Sequence, residues 1–127
     1  MKAKSSHVAV LSGALLDCMV DCILSKEKKE KLFLNSDGFT LRWHKLPPPY
    51  STDWAHSGPA VEANWGPISQ WLLKEHGATW AETIKDQPLI WFCRAIVASE
   101  CGDVVYWPID SSTGFTLDMI KGIPNEA

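Results

Sequence analysis

Ser51, Asp53 and His56 are the residue types of a nucleophile, an orienting acid and a base, and they fall within six residues. Their closeness argues against that chemistry. A working triad gathers its members from separate elements, so that the base sits between nucleophile and acid. Three members crowded into one loop read better as turn and cap residues bonded to their own backbone. No glycine elbow surrounds Ser51, and no HExxH, Walker or GxGxxG pattern occurs in the chain. The chain therefore reads as non-catalytic. The enzymatic alternative is a hydrolase of unrecognised type that uses Asp53 or His56.

Binding of a small anionic or nucleotide-like molecule fits the same stretch better. The hydroxyls of Ser51, Thr52 and Ser57 and the backbone amides around Gly58 could hold phosphate or carboxylate oxygens. Arg94 could add a bidentate charged contact, and Tyr50 or Trp54 could stack on a base. Each residue also has a plainer role. Asp53 or Ser57 could cap a helix, Trp54 could fill the core, and Arg94 could pair with Asp53 to pin the loop. The candidate ligand-binding residues are thus Tyr50, Ser51, Thr52, Asp53, Trp54, Ser57, Gly58 and Arg94, with no catalytic residue, cofactor or metal expected.

Two spacings invite a metal reading and do not sustain it. Cys18 and Cys22 lie one helical turn apart but lack further ligands of suitable type, so all four cysteines read as small buried hydrophobes or helix-end residues. Asp17 and Asp21 are also one turn apart, opposite the apolar face of Leu15, Leu16, Met19, Val20 and Ile23, and read as a solvated face.

The elements that must position these residues can be read along the chain. His7 to Leu11 is β-prone, and Ser12 is a good N-cap for a helix through Leu15 to Leu24. The runs Lys31 to Leu34 and Phe39 to His44 flank the turn Asn35 to Gly38 and predict a hairpin. Phe39, Leu41 and Trp43 then share one face of it. Pro47 to Pro49 stiffen the approach to Tyr50, and Gly58-Pro59 predicts a short helix from Pro59 to about Asn64, closed by Gly66-Pro67. Ile68 to Leu73 and Ala78 to Ile84, around Lys74 to Gly77, predict a second hairpin, with continuation as helix over Trp71 to Glu75 as the alternative.

Asp86 to Pro88 open the clearest helix, in which Leu89, Phe92, Cys93, Ile96 and Val97 recur at helical spacing, and Gly102 ends it as a left-handed cap. Ala95 and Ala98 form a small-residue strip on which another element, or a second copy of the chain, could lie. Val104 to Trp107 is a strand stopped by Pro108, and the tail with Phe115, Leu117, Met119 and Ile120 reads as a last strand or short helix. The fold class expected is α+β, with two main helices packed on a small, largely antiparallel sheet, in a single domain over residues 1–127.

Composition narrows the partners. With 46% hydrophobic and 21% charged residues the chain has an ordinary globular make-up. A net charge of -3 argues against a nucleic-acid partner, and the one dense charge run, Lys26 to Lys31, mixes in Glu27 and Glu30. No apolar run approaches the ~20 residues of a membrane span. Lys2 and Lys4 before the run Val8 to Leu16 imitate a secretion signal, but Ser12, Gly13 and Asp17 interrupt the pattern, so a retained strand and helix is the reading adopted. Seven tryptophans are too many for so short a chain to bury fully, and some are expected to line a pocket or contact surface.

Tyr50-Ser-Thr-Asp-Trp-Ala-His-Ser-Gly-Pro59, together with Leu11-Ser-Gly-Ala-Leu-Leu-Asp17, Pro88-Leu-Ile, Cys93-Arg-Ala-Ile-Val-Ala-Ser99 and Gly102-Asp103, resembles the NinX-like family of small phage and prophage proteins. These blocks span about residues 8–108, and residues 109–127 form a C-terminal extension to the pattern. Lys26 to His44 also departs from it. The resemblance implies a phage or prophage accessory protein in a bacterial host cytoplasm and supplies no reaction, because the family is a domain of unknown function. By association with such genes it suggests sequestration of a host defence signal. The alternative is inhibition of a host protein through an aromatic surface, and a homodimer or higher homo-oligomer is expected in either case.

Overall fold

The computed structural model describes residues 3–25, 32–34, 41–43, 48–108 and 117–122. Strand β1 (Ala3–His7) leads through a single 3-10 turn (Val8–Val10) into helix α1 (Gly13–Ser25). The extended segment thus precedes the expected one, because the His7 imidazole accepts the Ala9 N–H and turns the chain at Val8. Strands β2 (Leu32–Leu34) and β3 (Leu41–Trp43) pair antiparallel, with Leu32 opposite Trp43, as the first hairpin expected. Its turn, the side chain of Phe39 and the charge run lie outside the described residues.

Helices α2 (Trp54–Ala63) and α3 (Trp65–His76) follow, almost continuous across Asn64. Two expectations fail here. Helix α2 starts five residues before Pro59, because the Asp53 side chain already caps it by accepting the Ala55 N–H at 2.9 Å. Pro67 falls in the first turn of α3, where a missing N–H costs nothing, so it does not stop the helix. The expected second hairpin is helix α3 followed by the short helix α4 (Trp80–Ile84). Ile68, Trp71 and Leu72 are buried at helical spacing, and Gly77 is the end of a helix instead of a hairpin turn.

Helix α5 (Pro88–Cys101) matches the sequence reading and packs against α1, α2, α3 and strand β4 (Val104–Pro108). Leu89, Phe92, Cys93, Ile96 and Val97 are all buried on it. Ala95 and Ala98 are buried as well, so the small-residue strip is consumed by packing inside the chain and offers no seam to a second copy. Gly102 has φ 87 and ψ -174, which is the extended region open only to glycine and not the left-handed helical cap expected. Strand β4 pairs antiparallel with β1, placing His7 opposite Val104. The tail forms helix α6 (Leu117–Lys121), whose Ile120 is fully buried.

The fold is α+β. Among the described residues it has four long helices, α1, α2, α3 and α5, in place of the two expected, and two separate two-stranded antiparallel sheets. The helices dominate because the core of Leu16, Met19, Ile68, Leu72, Phe92 and Ile96 lies between them, each such side chain contributing roughly 1.5–3 kcal/mol on burial. No helix among the described residues is long and apolar enough to cross a membrane.

Candidate functional site

The loop that ends at Asp53 is fastened from below by α1. Pro49 accepts backbone N–H groups from Thr52 and Asp53 at 3.2 and 3.0 Å, making a tight turn that presents Tyr50 and Ser51 inward. Asp17 takes the Ser51 backbone N–H at 2.7 Å, and Asp21 takes the Tyr50 hydroxyl at 3.2 Å. The two acids expected to be a solvated face therefore form a clasp, with Asp17 buried. Their helical spacing of four residues matches two consecutive loop residues. Burial raises the Asp17 carboxyl above its ordinary range, against the Ser51 hydrogen bonds that lower it. The Tyr50 phenol is pushed up to about 12, first by burial and then by the charge of Asp21 beside it.

At the start of α2 Asp53 makes two bonds at once. One carboxylate oxygen caps Ala55, and the other holds His56 Nδ1 at 2.8 Å, which keeps the Asp53 carboxyl below the usual range. Ser57 donates its hydroxyl to the Asp53 carbonyl at 3.0 Å and is fully buried. Ser51 is also buried, and its hydroxyl serves Asp17. The exposed Asp53–His56 pair thus has neither serine as a nucleophile. Of the three hydroxyls expected to grip an anion, Thr52 alone is exposed, and the capping carboxylate of Asp53 already occupies the helix start where an anion would sit.

Arg94 does not meet Asp53. Its Nε donates to the Leu11 carbonyl at 2.7 Å, and its guanidinium lies 4.4 Å from the Trp91 ring centroid. Asp53 and Arg94 therefore have different partners, and the anticipated ion pair is replaced by a cap on one side and a backbone clamp on the other. Arg94 forms no ion pair with a carboxylate among the described residues.

Trp54 does not fill the core. It is 52% exposed, its ring lies over Gly58, and it meets Phe92 edge-on with centroids 5.8 Å apart. Trp65, 43% exposed, meets the same Phe92 at 5.6 Å and Trp80 at 5.9 Å. Two tryptophans, from α2 and α3, thus meet one buried phenylalanine of α5, and Trp80 of α4 extends the cluster through Trp65. Trp65 and Trp80 are absent from the sequence-based candidates because they stood in segments read as loop and strand.

One group of metal-ligating side chains occurs among the described residues: His7, Glu75 and Asp103, with ligand atoms within 4.8 Å of one another. Antiparallel pairing sets His7 beside the α5–β4 corner, and Val8 N–H bonds the Asp103 carbonyl at 2.8 Å. Trp71 Nε1 donates to Asp103 Oδ1 at 3.1 Å, and Glu75 stands one turn further along α3. Cys18 and Cys22 are buried in the core, and Asp17 and Asp21 hold the loop. No protein-family model matches the chain, and neither curated proteins nor solved structures yield a match.

Proposed function

We propose that the protein is a non-catalytic binding protein that engages a protein partner through the aromatic face of Trp54, Trp65 and Trp80. The observation that supports it is the pair of half-exposed indoles, Trp54 and Trp65, both held edge-on to buried Phe92. Such rings are already ordered before contact, so little entropy is lost on binding, and tryptophan anchors dominate protein interfaces. Asp53, with its carboxylate exposed, directly precedes Trp54, and the chain carries a net charge of -3. A partner with an apolar centre and basic edges suits this face. The resemblance to NinX-like proteins supports a phage or prophage accessory role against a host protein in the bacterial cytoplasm.

Affinity capture from bacterial lysate, followed by reconstitution with the purified captured protein, tests this reading. Expected is a stoichiometric complex that the double variant W54A/W65A weakens at least about tenfold while keeping its helical circular dichroism. No stoichiometric partner, or equal binding by the variant, would remove the proposal.

Sequestration of a small anionic or nucleotide-like molecule is the second reading, supported by the guanidinium of Arg94. It is held by Nε over Trp91 with no carboxylate partner among the described residues, so its terminal nitrogens can take an anion. Mass spectrometry of molecules released on denaturation, with calorimetric titration of cyclic and linear nucleotides, decides it. Absence of binding at millimolar nucleotide sinks this reading and leaves the aromatic one standing.

A further inference from the structure

We infer that His7, Glu75 and Asp103 form a binding site for a borderline divalent metal ion such as zinc. The three residues come from three separate parts of the fold, the end of β1, the last turn of α3 and the α5–β4 corner, yet their ligand atoms lie within 4.8 Å of one another. Zinc–ligand bonds of about 2.0–2.2 Å in tetrahedral array put ligand atoms roughly 3.5 Å apart, so small side-chain rotations close the site. One imidazole nitrogen with two carboxylates is a mixed donor set. It favours zinc and neighbouring transition ions over calcium or magnesium, which take oxygen alone.

The surroundings orient the ligands as an outer shell does. Trp71 Nε1–H fixes Asp103 Oδ1, and the Val8 N–H fixes the backbone of the same residue. His7 Nδ1 accepts the Ala9 N–H at 3.0 Å, which leaves Nε2 as the ligand atom. Coordination through Nε2 puts the ring N–H on Nδ1, so loading gives up the hydrogen bond from the Ala9 N–H. Lys74 Nζ, 3.4 Å from Asp103 Oδ2 and 70% exposed, is the group that an ion displaces. Because His7 is exposed, the fourth position faces solvent and is open to water or to an anionic ligand.

The test uses the untagged full chain stripped with a chelator, titrated with zinc by calorimetry and with cobalt(II) by visible absorption. Expected are one equivalent bound with a micromolar Kd, tetrahedral cobalt bands, and a zinc-dependent rise in Tm. Glu75 makes no hydrogen bond among the described residues, so Glu75→Gln leaves the fold intact and should weaken binding at least tenfold, as should His7→Gln. Lys74→Met should tighten it. The inference is overturned if no saturable binding occurs below millimolar zinc, or if Glu75→Gln and His7→Gln bind as the wild type does, which would mark the ion as adventitious.

Discussion

The Asp17 carboxylate accepts the Ser51 backbone N–H at 2.7 Å, so a buried acid on the first helix holds a loop 34 residues away. Replacing Asp17 with alanine strands that buried N–H and should cost about 1–3 kcal/mol, whereas asparagine keeps an acceptor and should cost less. The pH dependence has a definite sign. Burial raises the folded carboxyl above 3.8, so the contribution of its protonated form is complete below pH 3.8 and is lost as pH rises through the folded value. Urea unfolding across pH should show wild type losing stability in that window relative to Asp17→Asn. Parallel profiles would contradict a desolvated Asp17.

Tyr50 donates its hydroxyl to Asp21 and is partly buried, which delays its ionisation to about pH 12. In Tyr106→Phe the remaining tyrosine is Tyr50, and its phenolate can be followed by ultraviolet absorption. The expected midpoint lies near 12 and falls towards 10.0 when Asp21 is replaced by asparagine. A midpoint near 10.0 in both variants would show that the clasp does not form.

Burial pushes the Cys93 thiol up to about 12 and the Cys101 thiol up to about 11. At neutral pH neither supplies appreciable thiolate, so the folded protein should react slowly with a disulfide reagent at both. In urea all four cysteines should titrate at once. Rapid stoichiometric labelling of Cys93 in the folded chain would contradict its burial.

What the sequence discloses of this fold is set by how far each signal reaches. Helix α5 was readable because its apolar positions repeat at helical spacing over four turns between Pro88 and Gly102. Helix α3 is legible only in part, as the helical alternative over Trp71 to Glu75, because Ile68 to Leu73 is a short apolar run that suits a strand equally well. The burial of Ile68, Trp71 and Leu72 alone decides between them. Asp53 as a cap was readable as a local event, whereas Asp17 and Asp21 find their partners 34 and 29 residues away, and nothing local announces a long-range bond. The Trp54, Trp65 and Trp80 face and the His7, Glu75 and Asp103 group are likewise assembled by packing. Only the unusual number of tryptophans hinted at the first.

Gly102 sits at φ 87 and ψ -174 while its N–H closes α5 on the Ala98 carbonyl at 2.8 Å. A Cβ there meets no neighbour, so Gly102→Ala isolates the backbone cost, expected at about 1–3 kcal/mol by urea unfolding. A neutral substitution would mean that the corner adopts another conformation, and with it another placement of Asp103.

Arg94 separates the two surfaces of the molecule. Its bond to the Leu11 carbonyl and its contact with Trp91 lie on one side of α5, while Phe92, two positions before Arg94, supports the tryptophan face. Arg94→Ala deprives Leu11 of a charged donor and should lower stability by about 1–3 kcal/mol. Lysine keeps a charge but not the Nε geometry, so Arg94→Lys should recover only part of that loss. Neither variant touches Trp54 or Trp65, so affinity for a partner of the aromatic face should stay within about twofold. Any nucleotide binding held by the guanidinium should be lost in both. Loss of partner affinity in Arg94→Lys, with stability largely retained, would place the recognition surface around Trp91 instead.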